Sequence, residues 1–130
     1  MGVRVTITHR AIDREEIQFP LEPPHTGAIV EFFGVVRDHE NDRRIEAIEY
    51  EAHKEMATHQ MLRIAERLSE EHDLADFECF HRIGYVPAGE PSLLVRVASI
   101  HREAAFAAIM TFIDELKQIV PIWKTPIHSA

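Results

Sequence analysis

Two stretches of this chain repeat their apolar residues at the α-helical period, and the rest of the sequence must be arranged to cover those two faces. In the first, Ala57, Met61, Ile64, Ala65 and Leu68 fall at i, i+4, i+7, i+8 and i+11, with Arg63, Glu66, Arg67 and Glu70 on the opposite side. In the second, Ala105, Ile109, Phe112, Ile113, Leu116 and Val120 fall at i, i+4, i+7, i+8, i+11 and i+15. Such spacing gives each helix a single apolar stripe, which is stable only against another element. Pro121 ends the second stretch, because the residue before a proline is driven out of the α region.

The covering elements read as strands. Val3, Val5 and Ile7 alternate with Arg4, Thr6 and Thr8, the period-two pattern of a half-buried strand. Residues 27–36 are β-branched and aromatic with Gly27 and Gly34 near the ends, which predicts a buried strand. Ile48, Tyr50 and Ala52 alternate with Glu49 and Glu51, and residues 77–83 and 92–98 predict two further strands. Residues 12–18 are compatible with a short helix, and Pro20, Pro23 and Pro24 impose a loop after it. The all-polar run Arg37 to Arg44 reads as a loop, and Gly84 to Pro91 reads as a turn-rich connection, long for a plain hairpin. The expected fold class is α+β: a two-layer domain with two long amphipathic helices on one mostly antiparallel sheet, carrying a hammerhead-like elaboration. At 130 residues, the whole chain (1–130) forms one such domain.

Composition narrows the function. With 22 Asp and Glu against 14 Lys and Arg, the net charge of -8 opposes non-specific nucleic-acid binding. No window approaches the eighteen or so apolar residues of a membrane span, and the charged, alternating N-terminus is not a signal peptide. A cytoplasmic protein fits. The single cysteine, Cys79, excludes an internal disulfide and any multi-cysteine metal site. The nine histidines are scattered with no close i, i+4 pair on a helix, and Asp38-His39-Glu40-Asn41-Asp42 lacks the glycine and spacing of a calcium loop. No phosphate loop, nucleophile elbow or dinucleotide fingerprint is present. Neither a metal nor a cofactor is expected.

The chemistry concentrates near the C-terminus. The chain has only three lysines, and two of them, Lys117 and Lys124, lie in this segment with His101 and Arg102 upstream. Ser99 is a candidate N-cap that would put His101 and Arg102 in the first helical turn, where unpaired N–H groups favour an anion. A solvated first turn offset by Glu103 explains the same residues without a ligand. Lys117 lies one turn beyond Ile113, and Lys124 follows Trp123. A lysine held near apolar surface loses hydration and can then act as acid, base or nucleophile; a lysine snorkelling at a helix end is the plainer alternative. Arg37 stands where a strand emerges into a polar loop, and a surface pair with Asp38 or Asp42 would also account for it. His81-Arg82 reads as structural, satisfying backbone groups at a strand end. Cys79, in a strand pattern, reads as a buried small hydrophobe.

Several segments, in order, resemble the large, catalytic subunit of molybdopterin synthase. They are Gly27 to Val30 with Gly34-Val35-Val36-Arg37; Tyr50-Glu51-Ala52; His81-Arg82-Ile83-Gly84 with Gly89-Glu90; Ser99 to Arg102 with Ala105-Phe106; and Asp114 to Lys117 with Pro121 to Lys124. The resemblance covers roughly residues 27–124. It implies an enzyme that converts cyclic pyranopterin monophosphate to molybdopterin by installing two sulfurs as a dithiolene. The sulfur would arrive as a thiocarboxylate on the C-terminal Gly-Gly tail of a small ubiquitin-like carrier subunit. It further implies a central homodimer of large subunits with a small subunit at each end, a heterotetramer. The family's pocket residues map onto Arg37, His101, Arg102, Lys117 and Lys124. Arg37, His101 and Arg102 would bind the phosphate and position the pterin, Lys117 would transfer protons, and Lys124 would support catalysis or bind substrate. The chain departs from the family at Thr125-Pro126, where a basic residue and Glu are usual, at His53, where Tyr is common, and in stopping at Ala130. The Thr125-Pro126 change and the short tail motivate an alternative: a catalytically impaired homologue that binds a ubiquitin-like partner.

Overall fold

The computed structural model describes residues 2–16 and 26–129. Strands β1 (Gly2–Thr8), β2 (Ala28–Val35), β3 (His39–Glu40) and β4 (Arg43–Ala52) precede helix α1 (Lys54–Glu71). Strands β5 (Asp76–Arg82), β6 (Gly84–Pro87) and β7 (Pro91–Ser99) lead to helix α2 (Arg102–Ile119) and a last strand, β8 (Ile122–His128). Of the short helix expected at 12–18, the described part is one 3₁₀ turn, Arg14–Glu16; its end and the proline loop lie outside the described residues.

The α+β class holds, but the described residues build two four-stranded sheets where the sequence suggested one. The first runs β1-β5-β7-β2, parallel between β1 and β5 and antiparallel elsewhere. The second is centred on β4, which pairs antiparallel with β3, β6 and β8. Three of its strands come from segments expected to be loop or tail. Residues 37–44 contain a β3–β4 hairpin turned through Asn41 and Asp42, both at positive φ, as an I′ hairpin turn requires. Gly84–Pro87 pairs with residues 47–50 of β4, and the tail Ile122–His128 pairs with residues 45–52. Pro126 is tolerated because β8 pairs only with β4 among the described residues, so its missing N–H falls on an edge.

The core lies between the first sheet and the helices, and it uses the stripes read from sequence. Ala57, Met61, Ile64, Ala65 and Leu68 of α1 are buried, as are Ala105, Ile109, Phe112 and Leu116 of α2. Phe112 meets Phe77 of β5 edge-to-face at 5.0 Å. A second, small cluster of Val36, Ile45, Ile48 and Val86 belongs to the second sheet. His53 caps α1, its Nδ1 accepting from Met56 N–H. At the other end Asp73 adopts a positive φ, and the N–H groups of Asp73 and Leu74 donate to Glu70 and Ser69 carbonyls, a Schellman closure.

The other face of the first sheet is charged. Arg4 bridges Asp76 and Glu78, Arg96 sits beside Asp76 at 3.9 Å, and Arg14 reaches Glu31. The register sets Arg4, Glu78, Arg96 and Glu31 in one row across the four strands, so opposite charges alternate. Strand β2 is less buried than its composition suggested: Ile29, Phe32, Phe33 and Val35 are exposed, because β2 is an edge strand. Among the described residues, no helix is long and apolar enough to cross a membrane.

Candidate active site

The end of β2, the β3–β4 hairpin, the C-terminal turn of α2 and β8 surround a cavity of about 750 Å³ where the two sheets meet. Three of the residues singled out in the sequence, Arg37, Lys117 and Lys124, line it. Their convergence has a local cause. Helix α2 stops at Val120, whose extended backbone and the following Pro121 turn the chain back along β4. Lys117 therefore leaves the last helical turn, and Lys124, opposite Tyr50 in the register, leaves β8 towards the same space. Arg37 enters from the loop that joins the two sheets and makes no ion pair among the described residues; Asp38 pairs with His39 instead.

Both lysines are exposed, so protein burial alone does not desolvate them. Lys124 Nζ lies 3.4 Å from Glu40 Oε1, the one carboxylate among the described lining residues. Trp123, the only tryptophan of the chain, also lines the cavity and is exposed.

Part of the cavity lining is polar: His81 and Ser92 are buried and Tyr50 is half-buried. Ser92 Oγ donates to Tyr50 Oη at 3.1 Å, and the Tyr50 ring stands edge-on to His81 at 5.3 Å. His81 Nδ1 lies 2.9 Å from the Arg82 carbonyl. A carbonyl only accepts, so Nδ1 carries the proton and Nε2 remains an acceptor. Burial pushes the His81 pKa down, against a smaller upward pull from that backbone bond. His81 thus satisfies a strand-end backbone group, as expected, and also lines the cavity, which its sequence context did not signal. Arg82 pairs with Glu90 at 2.7 Å.

His101 and Arg102 do not join this group within one chain. They begin α2 while Lys117 closes it, and fifteen residues at 1.5 Å each separate Arg102 from Lys117 by about 22 Å. Ser99 is not the N-cap. It belongs to β7 and its hydroxyl donates to the His101 carbonyl, because the strand runs further than its apolar pattern. His101 holds the cap position without a side-chain bond, and Arg102 pairs with Glu103 at 3.7 Å. Cys79 is fully buried in β5; burial, helped by the Glu78 charge, pushes its thiol far above the ordinary range. Among the described residues no group of three or more His, Cys, Asp or Glu side chains could hold a metal ion.

Sequence reasoning missed Glu40, Tyr50 and Ser92 as cavity residues. Glu40 lay in a stretch that read as loop, and Tyr50 and Ser92 read only as strand positions. The one available signal was the alternation of Ile48, Tyr50 and Ala52, which places Tyr50 on the same sheet face as Ile48, another cavity residue.

Comparison with known proteins places these features in context. Residues 7–119 match the family described as MoaE protein. A molybdopterin synthase catalytic subunit from Bacillus subtilis is 39% identical over 124 residues, which cover 95% of this chain and 79% of that protein. The crystal structure of molybdopterin synthase from Staphylococcus aureus superposes with a TM-score of 0.87 at 32% identity, covering 95% of this chain and 90% of that one. A complex of subunits 1 and 2 of the molybdopterin-converting factor from Helicobacter pylori contains the same fold, with a TM-score of 0.74 at 20% identity over 96% of this chain and 89% of that one.

Proposed function

The chain belongs to the MoaE family of molybdopterin synthase catalytic subunits, an enzyme family of molybdenum cofactor biosynthesis, and from that premise we propose that its cavity is where sulfur is transferred to a pterin phosphate. The convergence of Arg37, Lys117 and Lys124 from three separate elements carries the reading. Cyclic pyranopterin monophosphate has a phosphate and passes through anionic intermediates, and three cations lining one cavity stabilise both.

The sulfur enters on the C-terminal thiocarboxylate of a small ubiquitin-like subunit whose tail inserts into the cavity. The sulfur forms a bond to a substrate carbon as that carbon's bond to oxygen breaks, the oxygen leaving as water or remaining on the phosphate as its ring opens. Water then cleaves the acyl–sulfur bond and leaves a carboxylate on the carrier. Two such rounds build the dithiolene. Lys117 moves the protons, and Lys124 and Arg37 hold the phosphate and the anionic sulfur close to the reacting carbon. The H. pylori relative, solved as a complex of subunits 1 and 2 of the molybdopterin-converting factor, supports a second, different subunit as partner.

His101 and Arg102 fit this reading through a second copy of the chain. They are too far from Lys117 to act in the same cavity. Yet Ile100, Phe106 and Met110 beside them are exposed apolar residues, a surface that suits the proposed homodimer.

The test is conversion of the pterin substrate by this protein with a thiocarboxylated small subunit, followed by fluorescence of oxidised molybdopterin. Lys117→Ala should lower the rate by about 10²–10⁴-fold while the complex still forms on a sizing column. A complex that forms without any product from the wild-type protein would instead establish a docking protein that has lost its chemistry.

A further inference from the structure

Two hydrogen-bonding groups of the cavity lining are left unused, and they are of opposite kinds. His81 is buried, and its Nδ1 proton is engaged by the Arg82 carbonyl. Its Nε2 has no hydrogen-bond partner among the described residues, yet it is not among the unpartnered atoms closed off from solvent. It is reached from the cavity that His81 lines. Burial lowers the His81 pKa, so the ring is neutral at pH 7 and Nε2 stays an acceptor. Tyr50 stands beside it, the two rings 5.3 Å apart. Ser92 Oγ already donates to Tyr50 Oη, and no other described group bonds that hydroxyl, so the phenol proton is left to donate. A polar group of a largely buried side chain that goes unmatched is costly, and native proteins carry few of them. Tyr50 and Lys124 are partners in the β4–β8 register, which puts their side chains on one face. The uncharged pair therefore adjoins the cations, and Val36, Ile48, Leu93 and Leu116 add apolar lining that suits a flat ring.

We propose that Tyr50 and His81 form a neutral subsite that orients the substrate's heterocycle, Tyr50 donating to its ring carbonyl and His81 Nε2 accepting from the adjacent ring N–H. This rests on the pterin reading of the same cavity. A 2-amino-4-oxo pterin carries that N–H and that carbonyl side by side, the converse of what the two side chains offer. A peptide group of an incoming tail has the same two groups, but in a trans peptide they point in opposite directions. Only a ring-bound amide turns both towards one wall. Ser92 is a positioning residue: by donating to Tyr50 Oη it leaves the phenol proton to the ligand. Neither Tyr50 nor neutral His81 carries charge, so the two ends of the substrate are sorted by chemistry. The heterocycle takes the uncharged pair, and the phosphate takes Arg37 and Lys124.

Trp123, exposed in the cavity wall and the only tryptophan of the chain, reports occupancy by its fluorescence. It would be titrated with pterin, with pterin methylated on that ring nitrogen, and with inorganic phosphate. The proteins are wild type, Tyr50→Phe, His81→Asn and His81→Gln. Tyr50→Phe keeps the ring against His81, and His81→Asn keeps a donor near the Nδ1 position while removing the Nε2 acceptor. Pterin binding should weaken about 2- to 10-fold in Tyr50→Phe and about 5- to 100-fold in His81→Asn, where a ligand N–H is left unpaired. His81→Gln, whose amide oxygen reaches the Nε2 position, should recover part of the loss. The methylated pterin should bind wild type more weakly than pterin and be indifferent to His81→Asn, a cycle on the ligand side that a folding defect does not imitate. Phosphate binding should be unchanged throughout, and KM for the pterin phosphate should rise with the pterin dissociation constant. Pterin binding that is absent in the wild type, or equal for the two pterins, overturns the proposal. So does a fall in kcat at unchanged KM and unchanged pterin binding, which would assign the pair to the chemical step. Pterin binding that depends on both residues, without any conversion, would sink the synthase reading and leave this one standing. Conversion with a KM indifferent to both residues would do the reverse.

Discussion

Replacing Phe112 by alanine tests whether α2 is seated on the first sheet as described, and so whether Lys117 is positioned by a packed helix. Phe112 is fully buried and its ring meets Phe77 edge-to-face at 5.0 Å. Removing a buried phenylalanine side chain costs about 3–5 kcal/mol through lost transfer energy and the cavity left behind. The ring pair itself is worth about 1 kcal/mol. A domain of this size holds about 5–15 kcal/mol in all, so the variant should lose from about a fifth to all of its stability. At about 3–4 °C per kcal/mol for this chain length, the melting temperature should fall by about 9–20 °C. Urea unfolding followed by circular dichroism gives the number directly. A double-mutant cycle with Phe77→Leu and Phe112→Leu should return a coupling of about 0.5–1.5 kcal/mol. A loss below about 1.5 kcal/mol for Phe112→Ala, or a coupling of zero, would refute the packing of α2 and with it the placement of Lys117.

Two further predictions concern buried titratable groups. Cys79, fully buried and with its thiol pushed up by burial, should resist alkylation at pH 8 until urea unfolds the protein, and Cys79→Ala should retain conversion if the sulfur comes from the carrier; fast native alkylation would contradict the buried placement. His81 has its pKa lowered by burial from an ordinary value of 6.5, so the unfolded chain takes up the proton first as pH falls. Its contribution is fully present above about pH 6.5 and is lost as pH drops towards the lowered folded value. The urea midpoint of the wild type should therefore fall more between pH 7.5 and 5.5 than that of His81→Gln, and parallel decreases would show that His81 is not held neutral in the fold.

The two helices were legible because a stripe at 3.6-residue spacing is a local property, and the same residues are buried in the structure. The strands of the first sheet were legible for the same reason, through period-two alternation and β-branched runs. Strands β3, β6 and β8 were not. They are short or carry Gly and Pro, and they exist because β4 offers them unpaired backbone groups from distant parts of the chain. Exposure of β2 follows from its position at a sheet edge, which no local pattern encodes. The site divides in the same way. The residue types and the seven-residue step between Lys117 and Lys124 stand in the sequence, and so does the family resemblance. Their meeting with Arg37 and Glu40 depends on the Pro121 turn and the register of β8 on β4. The separation of His101 and Arg102 from that meeting is a matter of helix geometry: residues near in sequence and on one helix are held apart by its length. A sequence pattern states which faces must be covered, and long-range backbone pairing decides what covers them.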